Sequence, residues 1–212
     1  VAHLMRNNWD KIEESLTANS LPQWLLMVLR LKDFSELSAR HIKTILENGT
    51  RNEVLRNEHI LKLILLLDHD GPLQLGKMAV NVDGIDSAFS DLYLRQDKEM
   101  LALLIKMIEQ STASAWVELQ RVREIAVPEH ISQLLNKIER MRALLRNNGL
   151  GFGHERLLYD LNPEMPCLSP LCRGKHIASL TALLKHLDRI APTSASTQDP
   201  VDDHIAAYVA SK

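Results

Sequence analysis

Side chains able to act as acids, bases or nucleophiles recur between residues 154 and 176. They include His154, Asp160, Cys167 and His176. Imidazole, carboxylate and thiol groups that converge on one pocket can transfer protons or attack a substrate. The sequence therefore leaves open a helical enzyme, or a bundle that binds a small ligand, with its site near these four residues.

The two cysteines, Cys167 and Cys172, are followed closely by His176. A structural zinc ion needs four nitrogen or sulfur ligands, and its cysteines usually lie closer together in sequence. Two cysteines beside stray histidines are more often small buried residues. We therefore predict no metal ion and no cofactor, and we expect free thiols in an intracellular protein.

Residues 71–77 fit the Gly-x-x-x-x-Gly-Lys pattern of a phosphate-binding loop. That chemistry needs a hydroxyl directly after the lysine to bind magnesium, and the chain has Met78 there. The preceding segment should also be a strand, whereas Thr50 and Glu53 form a capping box that opens a helix through about Leu67. The pattern is therefore interpreted as a turn between helices.

A stretch rich in Gly and Pro, residues 149–174, interrupts the helical pattern. Loops on rigid scaffolds often carry function. We predict that this segment presents an interaction surface formed by Phe152, His154, Arg156 and Tyr159.

An arginine-bearing region contains Arg121, Arg123, Arg140, Arg142, Arg146 and Arg156. Interspersed glutamates nearly balance it, which is typical of a solvated helix face. A second alternative is nucleic-acid binding through a basic face that includes Arg140, Arg142 and Arg146. The net charge of -2 and the 4% aromatic content disfavour it.

The elements that must position these residues are helical. Apolar residues recur with a period near 3.6, and alternation bounded by Asn-Gly or Asp-Gly turns is missing from the sequence. Predicted helices cover residues 8–16, 50–67, 72–80, 87–94, 98–110, 114–126, 129–146 and 176–190, with others starting at Leu21 and at Ser35 or Ser38. The apolar run 60–67 predicts a helix buried at the centre of the core.

The predicted fold is therefore all-α, with about nine helices in one bundle or in a degenerate HEAT-like or armadillo-like stack. We expect one helical domain over residues 6–191. Residues 192–212 are interpreted as a flexible linker with a short tail helix at 201–210 that has no visible partner.

The 212 residues, 45% hydrophobic and 25% charged, are typical of a soluble globular protein, and no apolar run is long enough to span a membrane. Abundant amphipathic helices and the failure of each catalytic motif favour a non-enzymatic interaction module. It would be an intracellular adaptor, scaffold or regulatory domain that binds another protein through an inter-helix groove and the 149–174 region.

Overall fold

The computed structural model describes residues 2–17, 53–68, 70–110, 112, 116, 129–191 and 201–212. Nine α-helices lie within these residues: α1 (Ala2–Asn7), α2 (Trp9–Thr17), α3 (Glu53–Leu67), α4 (Ile85–Leu94), α5 (Lys98–Glu109), α6 (Glu129–Arg146), α7 (Gly153–Leu161), α8 (Leu180–Ile190) and α9 (Asp203–Ser211). One two-stranded sheet, β1 (Leu73–Leu75) and β2 (Met78–Val80), completes the described part with 3-10 turns at Val82–Gly84 and Pro170–Cys172. The predicted all-α class is confirmed, and the arrangement fits a helical bundle.

Two helices form where local sequence signals place them. Asp97 caps α5, since its side chain accepts a hydrogen bond from the backbone N–H of Met100 at 3.1 Å. The helix α6 spans the predicted residues 129–146. The predicted helices that start at Leu21 and near Ser35 lie outside the described residues, as does most of 114–126.

The buried centre is the second half of α3, as predicted. Ile60, Leu61, Leu63 and Ile64 are each at most 1% exposed. The helix is covered by α1 and α2 on one side and by β1 on another. Burying a Leu or Ile side chain completely contributes about 1.5–3 kcal/mol to folding, so this turn and a half of helix anchors the core.

The predicted helix over residues 72–80 is wrong, because this segment is a β-hairpin. Leu73 pairs with Val80 and Leu75 pairs with Met78 in an antiparallel register, and all four side chains are buried. Gly76 has φ +57°, a conformation that favours glycine, and the Gly76-Lys77 pair forms the tight turn. The phosphate-loop pattern is thus a hairpin that follows a helix.

The Gly-rich and Pro-rich stretch contains a helix that the sequence analysis did not predict. Helix α7 begins at Gly153, directly after the extended residue Phe152, and packs on α4, α6 and α9. The following helix, α8, starts at Leu180 instead of His176 because Ser179 caps it, accepting a hydrogen bond from Ala182 N at 3.2 Å.

The tail helix has a partner, contrary to the expectation from sequence. Helix α9 packs along α7, and Ile205, Ala207 and Tyr208 are buried there. The close approach requires Gly151, since a Cβ at this residue, with φ +82°, would lie 3.1 Å from the carbonyl oxygen of Ala206. The predicted linker, residues 192–200, lies outside the described residues.

None of the described helices combines the length and the apolar character that crossing a bilayer requires.

Candidate functional site

The four predicted interaction residues lie on α7 or directly before it. Phe152 is 39% exposed, and His154 is exposed on the first turn. Arg156 pairs with Asp160 one turn further along, with Nε 3.4 Å from Oδ1. Tyr159 is buried. The structure therefore divides this set into two exposed residues, one ion-paired residue and one core residue.

The residues of the alternative enzyme site do not converge. Within the described residues, no hydrogen bond or ion pair joins any two of His154, Asp160, Cys167 and His176. The Asp160 carboxylate lies 2.6 Å from Arg140 Nη2, and His176 is exposed. No group of three or more His, Cys, Asp or Glu side chains gathers as a metal site in the described part of the chain.

The arginines of the predicted basic face make contacts between helices. Arg142 is buried, and its Nε donates to the carbonyl oxygen of Ile108 at 3.0 Å while its Nη2 donates to that of Gln110 at 3.2 Å. Arg146 Nη2 donates to the carbonyl oxygen of Glu109 at 3.3 Å. These two cations satisfy the free carbonyl groups at the end of α5, a role that suits arginine. Arg121 and Arg123 lie outside the described residues.

A cleft of about 680 Å³ opens between the end of α4, one face of α5, the start of α7 and the start of α9. We call it the apolar cleft. Its apolar walls come from Leu94, Leu101, Ala102, Ile105 and Leu168. Leu94 is 51% exposed and Leu168 is 37% exposed, so the rim of the cleft offers apolar surface to solvent.

Polar groups gather at one end of the apolar cleft. Tyr93 Oη donates to Glu155 Oε1 at 2.8 Å, and the Tyr93 ring meets the His204 ring edge to face at 6.3 Å between centroids. Burial, together with the neighbouring Glu155 carboxylate, raises the pKa of the Tyr93 phenol. Tyr93 therefore stays a neutral hydrogen-bond donor. His154 and Lys98 are further polar residues of the cleft lining.

A polar network below the cleft fixes the start of α9. Tyr159 Oη accepts a hydrogen bond from Leu168 N at 2.8 Å and lies 3.1 Å from His204 Nδ1. Ser169 Oγ donates to Asp202 Oδ2 at 2.5 Å. Asp202 in turn caps α9 by accepting from Ile205 N at 2.8 Å. These contacts hold His204 in the wall of the apolar cleft.

A second cleft, of about 580 Å³, adjoins the first. We call it the basic cleft because Arg173 and Lys175 line it, together with Cys167 and Cys172. The two cleft linings share Gln96 and Leu168.

The thiols of the basic cleft are free and buried, at 4% and 2% exposure for Cys167 and Cys172. Burial, followed by the neighbouring Cys167 thiol, raises the pKa of Cys172 to about 12. A thiol held neutral in this way is a poor nucleophile and a poor metal ligand near pH 7. The arrangement thus suits a structural thiol better than a catalytic one.

Gln96 joins the two clefts in a conformation that glycine normally adopts. Its φ is +58°, and it is the one non-glycine residue with a positive φ in the described chain. It ends α4, since Gln96 N donates to the carbonyl oxygen of Tyr93 at 3.0 Å and Asp97 N donates to that of Leu92 at 3.1 Å. Because α4 ends here, Asp97 can cap α5 at the very next residue. The α4 wall and the α5 wall of the apolar cleft therefore meet at Gln96.

Comparison with known protein families, with curated proteins and with solved structures finds no match for this chain. Its function is therefore inferred from its own residues and their geometry.

Sequence reasoning missed most residues of the two clefts. Tyr93, Gln96 and His204 come from three separate elements, so no local spacing relates them. One signal was available in α5, where Leu101 and Ile105 form an apolar stripe beside the buried pair Leu104 and Ile108. When the apolar surface of a helix is wider than a single buried face needs, the extra width indicates that the helix contacts a second partner.

Proposed function

We propose that this chain is a non-enzymatic helical interaction module whose apolar cleft receives an apolar segment of a partner protein. The observation that carries the proposal is the exposed apolar rim, where Leu94 and Leu168 face solvent beside Leu101 and Ile105. A contiguous apolar surface with a polar border is typical of a site for a partner.

The extent of the surface favours a chain segment as the occupant. The apolar cleft and the basic cleft share Gln96 and Leu168, so the two adjoin and together offer a larger surface than either alone. A helix or an extended peptide can cover both clefts, whereas a compact molecule fills one of them.

The state of the reactive side chains supports binding over catalysis. The Cys172 thiol is held neutral, Asp202 caps α9, and Asp160 is paired with two arginines. In the apolar cleft, Tyr93 and His204 are held by Glu155 and Tyr159, and the described lining offers His154 no carboxylate and no thiol. A catalytic site would need an acid, a base or a nucleophile aimed at a common point in the cleft.

A small-ligand-binding bundle is the second candidate. The volume of about 680 Å³ lies in the range of about 300–1,000 Å³ that is usual for ligand pockets. Tyr93, His154 and His204 would orient a ligand at the polar end. This candidate predicts that a compact molecule, such as one captured by screening a fragment library, binds without any peptide.

The test uses a displayed library of random 16-residue peptides selected on the whole chain. The selected peptides are then measured on the variant Ala102→Glu, which places a carboxylate on the exposed wall of the cleft without removing a core side chain. Ala143→Glu is the matched control, because Ala143 is an exposed helical alanine on α6 that lines neither cleft.

The proposal predicts that the selected peptides carry apolar residues at helical spacing. They should bind the wild type and Ala143→Glu with similar affinity. On Ala102→Glu they should lose at least about tenfold in affinity, since the added charge must be desolvated. Peptides that bind all three proteins equally, or a selection that yields no binder, would overturn it.

A further inference from the structure

We infer that the partner segment is acidic as well as apolar: aspartate or glutamate side chains flank its apolar anchors and bind Lys98, Arg173 and Lys175. This inference rests on the proposed function, since it names the chemistry of the segment that occupies the joined clefts.

The charged side chains that line the two clefts in the described structure are all basic, and two nearby carboxylates are bonded to lining residues, Glu155 to Tyr93 and Asp202 to Ser169. Lys98 lines the apolar cleft, and Arg173 and Lys175 line the basic cleft. Among the described residues that line either cleft there is no aspartate and no glutamate. The whole chain carries 27 acidic and 25 basic residues, so its composition alone would not produce a site of one sign.

These three cations have no partner inside the described part of the molecule. Lys98, Arg173 and Lys175 form no salt bridge there. Two other exposed cations do: Arg95 Nε lies 2.9 Å from Asp91 Oδ1, and Lys77 Nζ lies 4.0 Å from Glu99 Oε1. Lys11, Lys185 and Arg189 also form no salt bridge within the described residues, so what sets Lys98, Arg173 and Lys175 apart is their common place along the two clefts.

The backbone that carries Arg173 and Lys175 is fixed. Arg173 N donates to the carbonyl oxygen of Pro170 at 3.2 Å, and Lys175 N donates to that of Cys172 at 3.0 Å. Gly174, with φ +75°, makes the turn between them. Cations on a fixed backbone lose less conformational freedom on binding than cations on a mobile loop, which favours recognition of a carboxylate.

A nucleic acid would use the same charges differently. Single strands bind through aromatic side chains that stack on bases, in addition to a basic groove. The described lining of the basic cleft, which holds Arg173 and Lys175, contains no aromatic residue, and Tyr93 in the apolar cleft is hydrogen-bonded to the Glu155 carboxylate. A groove in which cations adjoin apolar surface, as here, is more complementary to a peptide segment that carries acidic side chains beside apolar ones.

The test compares two charge-reversal variants with the same change in net charge. Arg173→Glu/Lys175→Glu alters the basic cleft. Lys185→Glu/Arg189→Glu alters exposed positions of α8 that line neither cleft. The affinity of the selected peptides, labelled with fluorescein, is measured by anisotropy at 50 mM and 500 mM NaCl on both variants and the wild type.

The inference predicts that selected peptides are enriched in Asp and Glu relative to the library. It predicts a loss of about tenfold in affinity on Arg173→Glu/Lys175→Glu at 50 mM NaCl, and less than twofold on the control pair. The difference should shrink at 500 mM NaCl, because salt screens exposed charges.

Two results would overturn the inference. One is a set of peptides that bind in the apolar cleft, by the Ala102→Glu criterion, yet lack acidic enrichment and tolerate Arg173→Glu/Lys175→Glu. In that case the proposed function survives and the acidic partner does not. The other is a 20-nucleotide single-stranded DNA that binds at 50 mM NaCl and displaces the peptides, which would assign the cations to phosphate instead.

Discussion

Tyr159 Oη lies 3.1 Å from Nδ1 of His204, and this contact joins two helices through residues that are 45 positions apart in the chain. Tyr159 belongs to α7 and His204 to the first turn of α9. The same phenol accepts the backbone N–H of Leu168. One buried hydroxyl therefore fixes two walls of the apolar cleft, the Leu168 wall and the His204 wall.

Tyr159→Phe should lower the free energy of unfolding by about 1–3 kcal/mol, because it leaves Leu168 N without its acceptor. Hydrogen exchange should accelerate in residues 203–211 more than in 57–65. The matched control is Tyr208→Phe, since Tyr208 is also buried but its hydroxyl has no hydrogen-bond partner among the residues that the structure describes. Equal losses of stability in the two variants would contradict a special role for the Tyr159 hydroxyl.

Gln96→Gly should stabilise the protein by about 0.5–1 kcal/mol. The left-handed conformation costs a side-chain-bearing residue about 1–2 kcal/mol, and the greater freedom of glycine in the unfolded chain offsets part of the gain. Gln110→Gly, at the end of α5 with φ -78°, has no such strain to relieve and should destabilise. Urea unfolding measures both, and a Gln96→Gly variant less stable than the wild type would refute the prediction.

Stability should fall at alkaline pH. The pKa of Cys172 rises from its ordinary value of 9.0 to about 12 on folding, so the folded state holds this proton more tightly than the unfolded state. The associated stability is complete below about pH 9 and is lost as the pH rises toward 12. Burial also raises the pKa of Tyr93, Tyr159 and Tyr208 above their ordinary value of 10.0, which acts in the same direction.

Urea midpoints at pH 7, 9 and 11 measure this loss. The variant Cys172→Ala is less stable at pH 7, because it leaves a cavity, but its midpoint should fall less steeply between pH 9 and pH 11. Parallel pH profiles for the variant and the wild type would show that Cys172 does not titrate in this window.

Arg142→Ala should cost about 2–3 kcal/mol, since two buried carbonyl groups at the end of α5 lose a charged donor. Arg140→Ala is the comparison, because Arg140 is 70% exposed and Asp160 keeps its contact with Arg156. Its cost should stay below about 1 kcal/mol. Thermal unfolding of the two variants tests whether the buried arginine contributes more to the free energy of unfolding than the exposed one.

Features set by local chemistry could be predicted from the sequence, and features set by distant contacts could not. Asp97 caps α5 as its residue type and position indicate, and the apolar run 60–67 lies in the core. The hairpin was not predicted because its turn, Gly76-Lys77, is neither Asn-Gly nor Asp-Gly, the two dipeptides that indicate a hairpin most strongly. Helix α7 was not predicted because two glycines precede it, a third is its first residue, and its nine residues are too few for a clear period.

Most residues of the candidate site could not be predicted from the sequence, because tertiary structure brings them together. His154 was singled out from the sequence and does line the apolar cleft, whereas Tyr93 and His204 carried no signal of their own. Their meeting requires α9 to pack on α7, and the glycine that permits this packing, Gly151, could only be interpreted as part of a loop.

The most direct test of the central claim is an amide chemical-shift map of the ¹⁵N-labelled chain titrated with the tightest selected peptide. The account predicts that the largest changes lie in residues 93–105, at His154 and Leu168, and at the start of α9. Changes confined to α1, α2 or α8, or spread evenly over the chain, would contradict it.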